Sequence, residues 1–139
     1  MKTPYRYRWD GASSGARKRF ERLVKRLGHI KYVRGYRWQG RWGKREGVLL
    51  VGENGSARFQ GVCWGYSGEG PRTLINLLIE LGVSLELANA IGYEAKRGDD
   101  VGDDWRLTPV DLEGIPYWVY VNHAGSSCYV PASHRAWAA

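Results

Sequence analysis

The sequence predicts an α+β domain in which a small, mostly antiparallel sheet carries a helix pair on one face, with a basic helix added at the N-terminus. Three observations predict it. Apolar residues recur at helical spacing before residue 28 and again between residues 72 and 96. An Asn-Gly turn at residues 54 and 55 joins two strand-like runs. Further β-rich runs follow the helices, so strands and helices do not alternate as a parallel sheet would require. A length of 139 residues suits one domain.

Residues 1–12 alternate aromatic residues with Arg and lack a helical period, which fits an edge strand or an arm laid over the body. From Ser13, residues Phe20, Leu23, Val24 and Leu27 fall three and four apart and Gly28 stops the run, the pattern of an amphipathic helix. Its polar face holds Arg17, Lys18, Arg19, Arg22, Lys25 and Arg26. Residues 29–38 read as a strand, and residues 46–52 and 56–64 as a hairpin whose Asn54-Gly55 pair supplies the positive φ of a tight turn. The segment 36–46 between them reads as a loop. Residues 72–82 are apolar nearly all round, a buried helix with Pro71 at its first position and Gly82 at its exit. Ser84 caps a second helix that runs to about residue 96. Strands at 105–108, 117–121 and 128–130 come next, and residues 133–139 read as a loose tail.

The formal charge of +7 is polarised: residues 1–50 hold 15 Lys and Arg against 3 acids, whereas residues 51–139 hold 6 against 11. A basic surface concentrates polyanions, so nucleic acid or a phosphorylated ligand leads the partner classes. In the loop, Trp38 and Trp42 stand among Arg37, Arg41, Lys44 and Arg45, rings to stack on bases beside cations to grip phosphates. With Arg17, Lys18, Arg22 and Arg26 they make a candidate nucleic-acid face. The same residues equally fit a solvated helix and Arg stems packed on rings. No run approaches the ~20 apolar residues of a membrane span. The first residues lack a signal-peptide core, so the cytoplasm is the expected compartment and Cys63 and Cys128 are expected as reduced thiols.

The Gly-rich loop Trp64-Gly-Tyr-Ser-Gly-Glu-Gly-Pro71 runs from strand into helix. Such a loop brings backbone N–H groups close to a ligand, and the helix start adds free donors with partial positive charge. The candidate ligand set is Trp64, Tyr66, Ser67, Gly68, Gly70 and Arg72: amides and Arg72 for phosphate, Trp64 and Tyr66 for a base. It is neither a dinucleotide fingerprint nor a Walker loop, and nothing in it predicts Mg²⁺-dependent phosphoryl transfer. The competing reading is a tight turn whose glycines permit close packing under Trp64, and Glu69 works against an anion.

This loop, with Leu74 and the pair Leu77 and Leu78, resembles a family of small bacterial and phage proteins marked by a Trp-Gly-Tyr-Gly-Gly-x-Gly-Pro loop before an apolar helix. The likeness extends over Tyr32–Gly35, Ala88, Tyr93–Lys96 and Trp105–Thr108, and departs where Ser67 replaces Gly. It implies a core over residues 31–109, a basic extension over 1–30 and C-terminal strands and tail over 110–139. It also implies a phage or mobile-element setting, and no mechanism.

Enzyme readings are weak. Gly65-Tyr66-Ser67-Gly68, with Asp111 and His123 or His134, has the chain order of a nucleophile elbow and its triad partners, but Glu69 stands where the closing glycine belongs. The histidines and cysteines lack metal-ligand spacing, so no catalytic residue, metal or cofactor is expected. Asp99, Asp100, Asp103 and Asp104 lack the EF-hand pattern and read as a solvated loop, or a patch that pairs with a neighbouring subunit. The leading expectation is a non-enzymatic binder of a phosphorylated nucleotide, a phage protein sequestering a nucleotide immune signal. The alternative is a DNA- or RNA-binding module built on the basic helix and the Trp/Arg loop. A third is a homo-oligomer assembled through polarised charge.

Overall fold

The computed structural model describes residues 5–9, 20 and 22–135. In chain order they form β1 (Tyr5–Trp9), α1 (residues 22–27), β2 (Ile30–Gly40), β3 (Gly43–Gly52), β4 (Gly55–Gln60), α2 (Glu69–Glu80), α3 (Leu85–Asn89) continuing into a π-helical turn (Ala90–Glu94), β5 (Gly102–Leu112), β6 (Ile115–Val121) and β7 (Ser127–Pro131). All seven strands join one sheet in the order β1-β4-β3-β2-β5-β6-β7, antiparallel except for the parallel β1–β4 edge.

This corrects the expected architecture. A wide seven-stranded mixed sheet is the body of the molecule and the helices are short, rather than a helix pair packed on a small sheet with a separate basic helix. Three local causes enlarge the sheet. The Arg/aromatic alternation of β1 has a period of two and pairs in parallel with Gly55–Phe59. The expected loop at 36–46 is the continuation of β2 and β3, closed by Arg41 and Trp42 between the paired Gly40 and Gly43. Glu113 and Gly114, at φ 52° and 82°, make a two-residue hairpin turn that extends β5 and β6 towards each other. As for the basic helix, residues 13–19 lie outside the described residues, and Phe20, Leu23 and Leu27 are core residues rather than parts of an appendage.

The β3–β4 turn also differs from expectation. Its central residues are Glu53 and Asn54, between the paired Gly52 and Gly55, and Asn54 does not take a positive φ. The exit of α1 decides this: Glu53 and Asn54 donate their N–H groups to the carbonyls of His29 (2.9 Å) and Leu27 (3.1 Å). The C-terminal stretch is not loose as far as Arg135, because Ser133 donates to the Gly82 carbonyl at 2.8 Å. Residues 136–139 lie outside the described part.

The two sheet faces differ. On the inner face Val33, Leu50, Phe59, Trp105, Leu107 and Trp118 pack with Leu74, Leu77, Leu78 and Leu81 of α2 in one buried cluster. Each such large apolar side chain contributes about 1.5–3 kcal/mol by leaving water. Gly35 is required here, because a Cβ would land inside the Trp105 indole. On the outer face, by strand alternation and register, lie Tyr32, Arg34, Tyr36 and Trp38 of β2, Leu49 of β3, Arg58 of β4 and Arg106 of β5. Leu49 and Tyr36 are buried yet stand outside the inner cluster.

Candidate functional site

Past the end of β4, at the β2–β3 hairpin end of the sheet, lies an open groove of about 300 Å³. Trp38 and Tyr66 contribute rings to its lining, Lys44, Arg45 and Arg97 contribute cations, and Glu46 contributes a carboxylate. Two segments that the sequence proposes for different ligands, the Trp/Arg hairpin and the Gly-rich loop, therefore meet at one place. β2 and β3 deliver Trp38 and the 44–46 run from adjacent strands, where Trp38 pairs with Arg45. The Gly61 turn at φ 83° swings the chain off β4 and brings Cys63 and Tyr66 alongside.

Arg97 ties these parts together. Its Nε lies 2.6 Å from Glu46 Oε1, its Nη2 donates to the Trp64 carbonyl at 2.9 Å, and its guanidinium lies 5.5 Å from the centre of the Tyr66 ring. Tyr66 Oη and Cys63 Sγ are hydrogen-bonded at 2.8 Å, and this bond, followed by burial, holds the phenol above its ordinary range, so Tyr66 is neutral. Burial pushes the Glu46 carboxyl up, and Arg97 and then Arg37 pull it part of the way back. Glu46 Oε2 is buried with no hydrogen-bond partner among the described residues.

The acidic loop closes the structure behind the groove. Arg37 donates to the Gly98 carbonyl and Lys44 to the Asp99 carbonyl. Arg34 pairs with Asp103 at 2.9 Å. Asp104 is buried and accepts the Gly98 N–H at 3.0 Å; burial raises its pKa, against the pull of that bond and of Arg37. The loop is thus neither purely solvated nor reserved for a neighbouring subunit: it neutralises part of the basic hairpin within the chain. Among the described residues, no group of three or more His, Cys, Asp and Glu is placed to hold a metal ion, and no helix is long and apolar enough to cross a membrane. Cys63 and Cys128 are free thiols.

Of the ligand set read from sequence, only Tyr66 lines the groove. Trp64 is fully buried, edge-on to Trp105 at 5.7 Å, and has no face to offer a base. Gly70 packs against Cys63 Sγ, and the Gly65 N–H is taken by the Gly92 carbonyl at 2.8 Å. Helix α2 begins at Glu69 with Gly68 as its cap, so Pro71 is the third helical residue rather than the first and removes one of the free helix-start donors. Ser67 is exposed on the loop, and Arg72 is exposed on α2 outside the groove lining.

Of the nucleic-acid set, Trp38, Lys44 and Arg45 line the groove. Arg37 is largely buried between Glu46 and Asp104, at 3.9 Å from each. Arg41 lies over Trp42 at the hairpin tip, where Trp42 is 81% exposed. Arg22 and Arg26 are exposed on α1, and Arg17 and Lys18 lie outside the described residues. The exit of α1 packs against Gly52, at the opposite end of β3 from the tip, about 30 Å away at the rise of a strand. Helix exit and hairpin tip therefore stand at opposite ends of β3. Sequence reasoning missed Arg97 and Glu46, because their roles depend on where the 95–101 loop crosses the sheet.

No protein-family model, no curated protein and no solved structure matches the chain, so the likeness of the Gly-rich loop gains no support from these comparisons.

Proposed function

We propose that this protein binds a phosphorylated nucleotide in the groove and performs no chemistry on it. The base lies against Trp38 or Tyr66 and the phosphate against Lys44, Arg45 and Arg97. The observation that carries the reading is the convergence of two aromatic rings and three cations on one groove of about 300 Å³, a volume at the lower end of small-ligand sites. Arg45 strengthens it, since that side chain has no hydrogen bond or ion pair among the described residues. The phage setting rests on the loop resemblance alone.

Titration calorimetry with AMP, GMP, CMP and UMP, and with the four nucleosides, tests the reading. A mononucleotide binds in the micromolar to submillimolar range, about 5 to 8 kcal/mol. Its nucleoside binds at least tenfold more weakly, and Arg45→Glu weakens the mononucleotide to a similar extent. Absence of binding by every mononucleotide overturns the proposal.

A further inference from the structure

The sheet face opposite the helices carries a feature that the groove does not explain. Arg58, Leu49, Arg34 and Arg106 occupy one register row across β4, β3, β2 and β5, so three arginines, with Leu49 between Arg58 and Arg34, share a row three strand spacings wide, about 14 Å. Arg34 is directly opposite Arg106. Like charges facing each other across a ladder destabilise a sheet, and this one lies on a face that no described helix covers. Aromatic rings hold the guanidinium groups in place. Arg106 lies 4.0 Å from the centre of the Tyr32 ring, and Arg34 and Arg58 lie 5.3 and 5.4 Å from the Tyr36 ring, which itself stacks on Trp38 at 5.1 Å. Against the three arginines, Asp103 is the acid among the described side chains of this face, and it pairs with Arg34. Arg6 and Arg58 also line a shallow depression over Leu49.

We infer that this face binds single-stranded nucleic acid. A guanidinium steadied beside a ring can still offer its plane to an unpaired base and its N–H edge to phosphate. The row supplies several such positions at fixed spacing, and its charge complements a polyanion. A duplex hides its bases and would use the phosphate contacts alone. The arginine row lies outside the groove lining, and although Trp38 belongs to both the outer face and the groove, variants at Arg58 and Arg106 test the row apart from the mononucleotide site.

Fluorescence anisotropy of a labelled 12-nucleotide U or dT strand, with the full chain, tests it. The strand should bind at least tenfold more tightly than a 12-base-pair duplex. Its association constant should fall by about two powers of ten for a tenfold rise in salt, as three neutralised phosphates predict. Arg58→Ala/Arg106→Ala should weaken the strand at least tenfold while mononucleotide titration changes by less than about twofold, and Arg58→Lys/Arg106→Lys should recover part of the loss. Thermal melting confirms that these variants fold, and the single variant Arg58→Ala serves if the double one does not. No strand binding, equal binding of duplex, or unchanged binding by a folded variant overturns the inference.

Discussion

Arg97 Nε lies 2.6 Å from Glu46 Oε1, and through that contact the segment after the π-helical turn is fastened to β3 near the hairpin end of the sheet. The same guanidinium reaches the Trp64 carbonyl and covers the Tyr66 ring. A guanidinium has five N–H donors, and these contacts leave some of them for a ligand. Glu46 then sets the balance of the groove: ionised it cancels one cation, and protonated it releases that charge.

Glu46→Gln should therefore tighten mononucleotide binding at neutral pH, by several-fold or about 1 kcal/mol. Because burial holds the Glu46 carboxyl above its ordinary range, the gap between wild type and variant should close as pH falls through that raised value. Calorimetric titration of both proteins across a pH series checks this, and comparing them cancels the ligand's own titration. A gap that widens on acidification contradicts it.

Trp64 is a core residue, so its loss acts on stability. Trp64→Ala should cost about 3–5 kcal/mol by leaving a cavity beside Trp105. Trp64→Phe should lose less and bind mononucleotide within about twofold of wild type. Chemical denaturation and titration of the Phe variant check the two parts separately.

Gly35→Ala places a methyl where the Trp105 indole lies against β2. Overpacking of this kind costs about 1–3 kcal/mol. The denaturation midpoint should fall with an unchanged slope, whereas Gly114→Ala, which meets nothing within 4 Å, is strained only by its φ of 82°.

Asp104 gives the folded protein an acid-favoured component. Burial raises its folded pKa, so the folded state holds the proton more tightly than the unfolded chain. The stability from this group is full below its ordinary value and is lost as pH rises through the raised value. Asp104→Asn removes that loss, and its side-chain oxygen retains an acceptor for the Gly98 N–H. As pH rises from the ordinary carboxyl value through the raised one, the wild-type melting temperature should fall relative to the variant, and a rise would contradict the assignment.

Local signals in the sequence located α2 and its apolar sides, the start of α3 and much of β2, β3 and β4. The Ser84 cap is real, with Oγ accepting the Leu87 N–H at 3.3 Å. What escaped depends on partners far along the chain. Nothing within residues 5–9 says that they pair in parallel with 55–59. Arg41-Trp42 has no turn chemistry of its own, and the flanking glycines mark the turn only once the strands are in register. Pro109 argues against a long β5, but its ladder with β2 ends at Leu107, so the missing N–H costs no bond on that side. Trp64 offers a ring for a base by residue type, whereas the fold buries it edge-on to Trp105, as the close-packing reading of the Gly-rich turn expects. The groove was half legible: Trp38, Lys44, Arg45 and Tyr66 stood out by type, while Arg97 and Glu46 joined them only through the fold.

The most direct test of the groove is an amide NMR shift map of the protein titrated with the tightest-binding nucleoside monophosphate. The largest shifts should fall at Trp38, Lys44, Arg45, Tyr66 and Arg97, with α1 and the start of α2 quiet. Saturable shifts confined to residues 67–72, or no shifts at millimolar ligand, would contradict it.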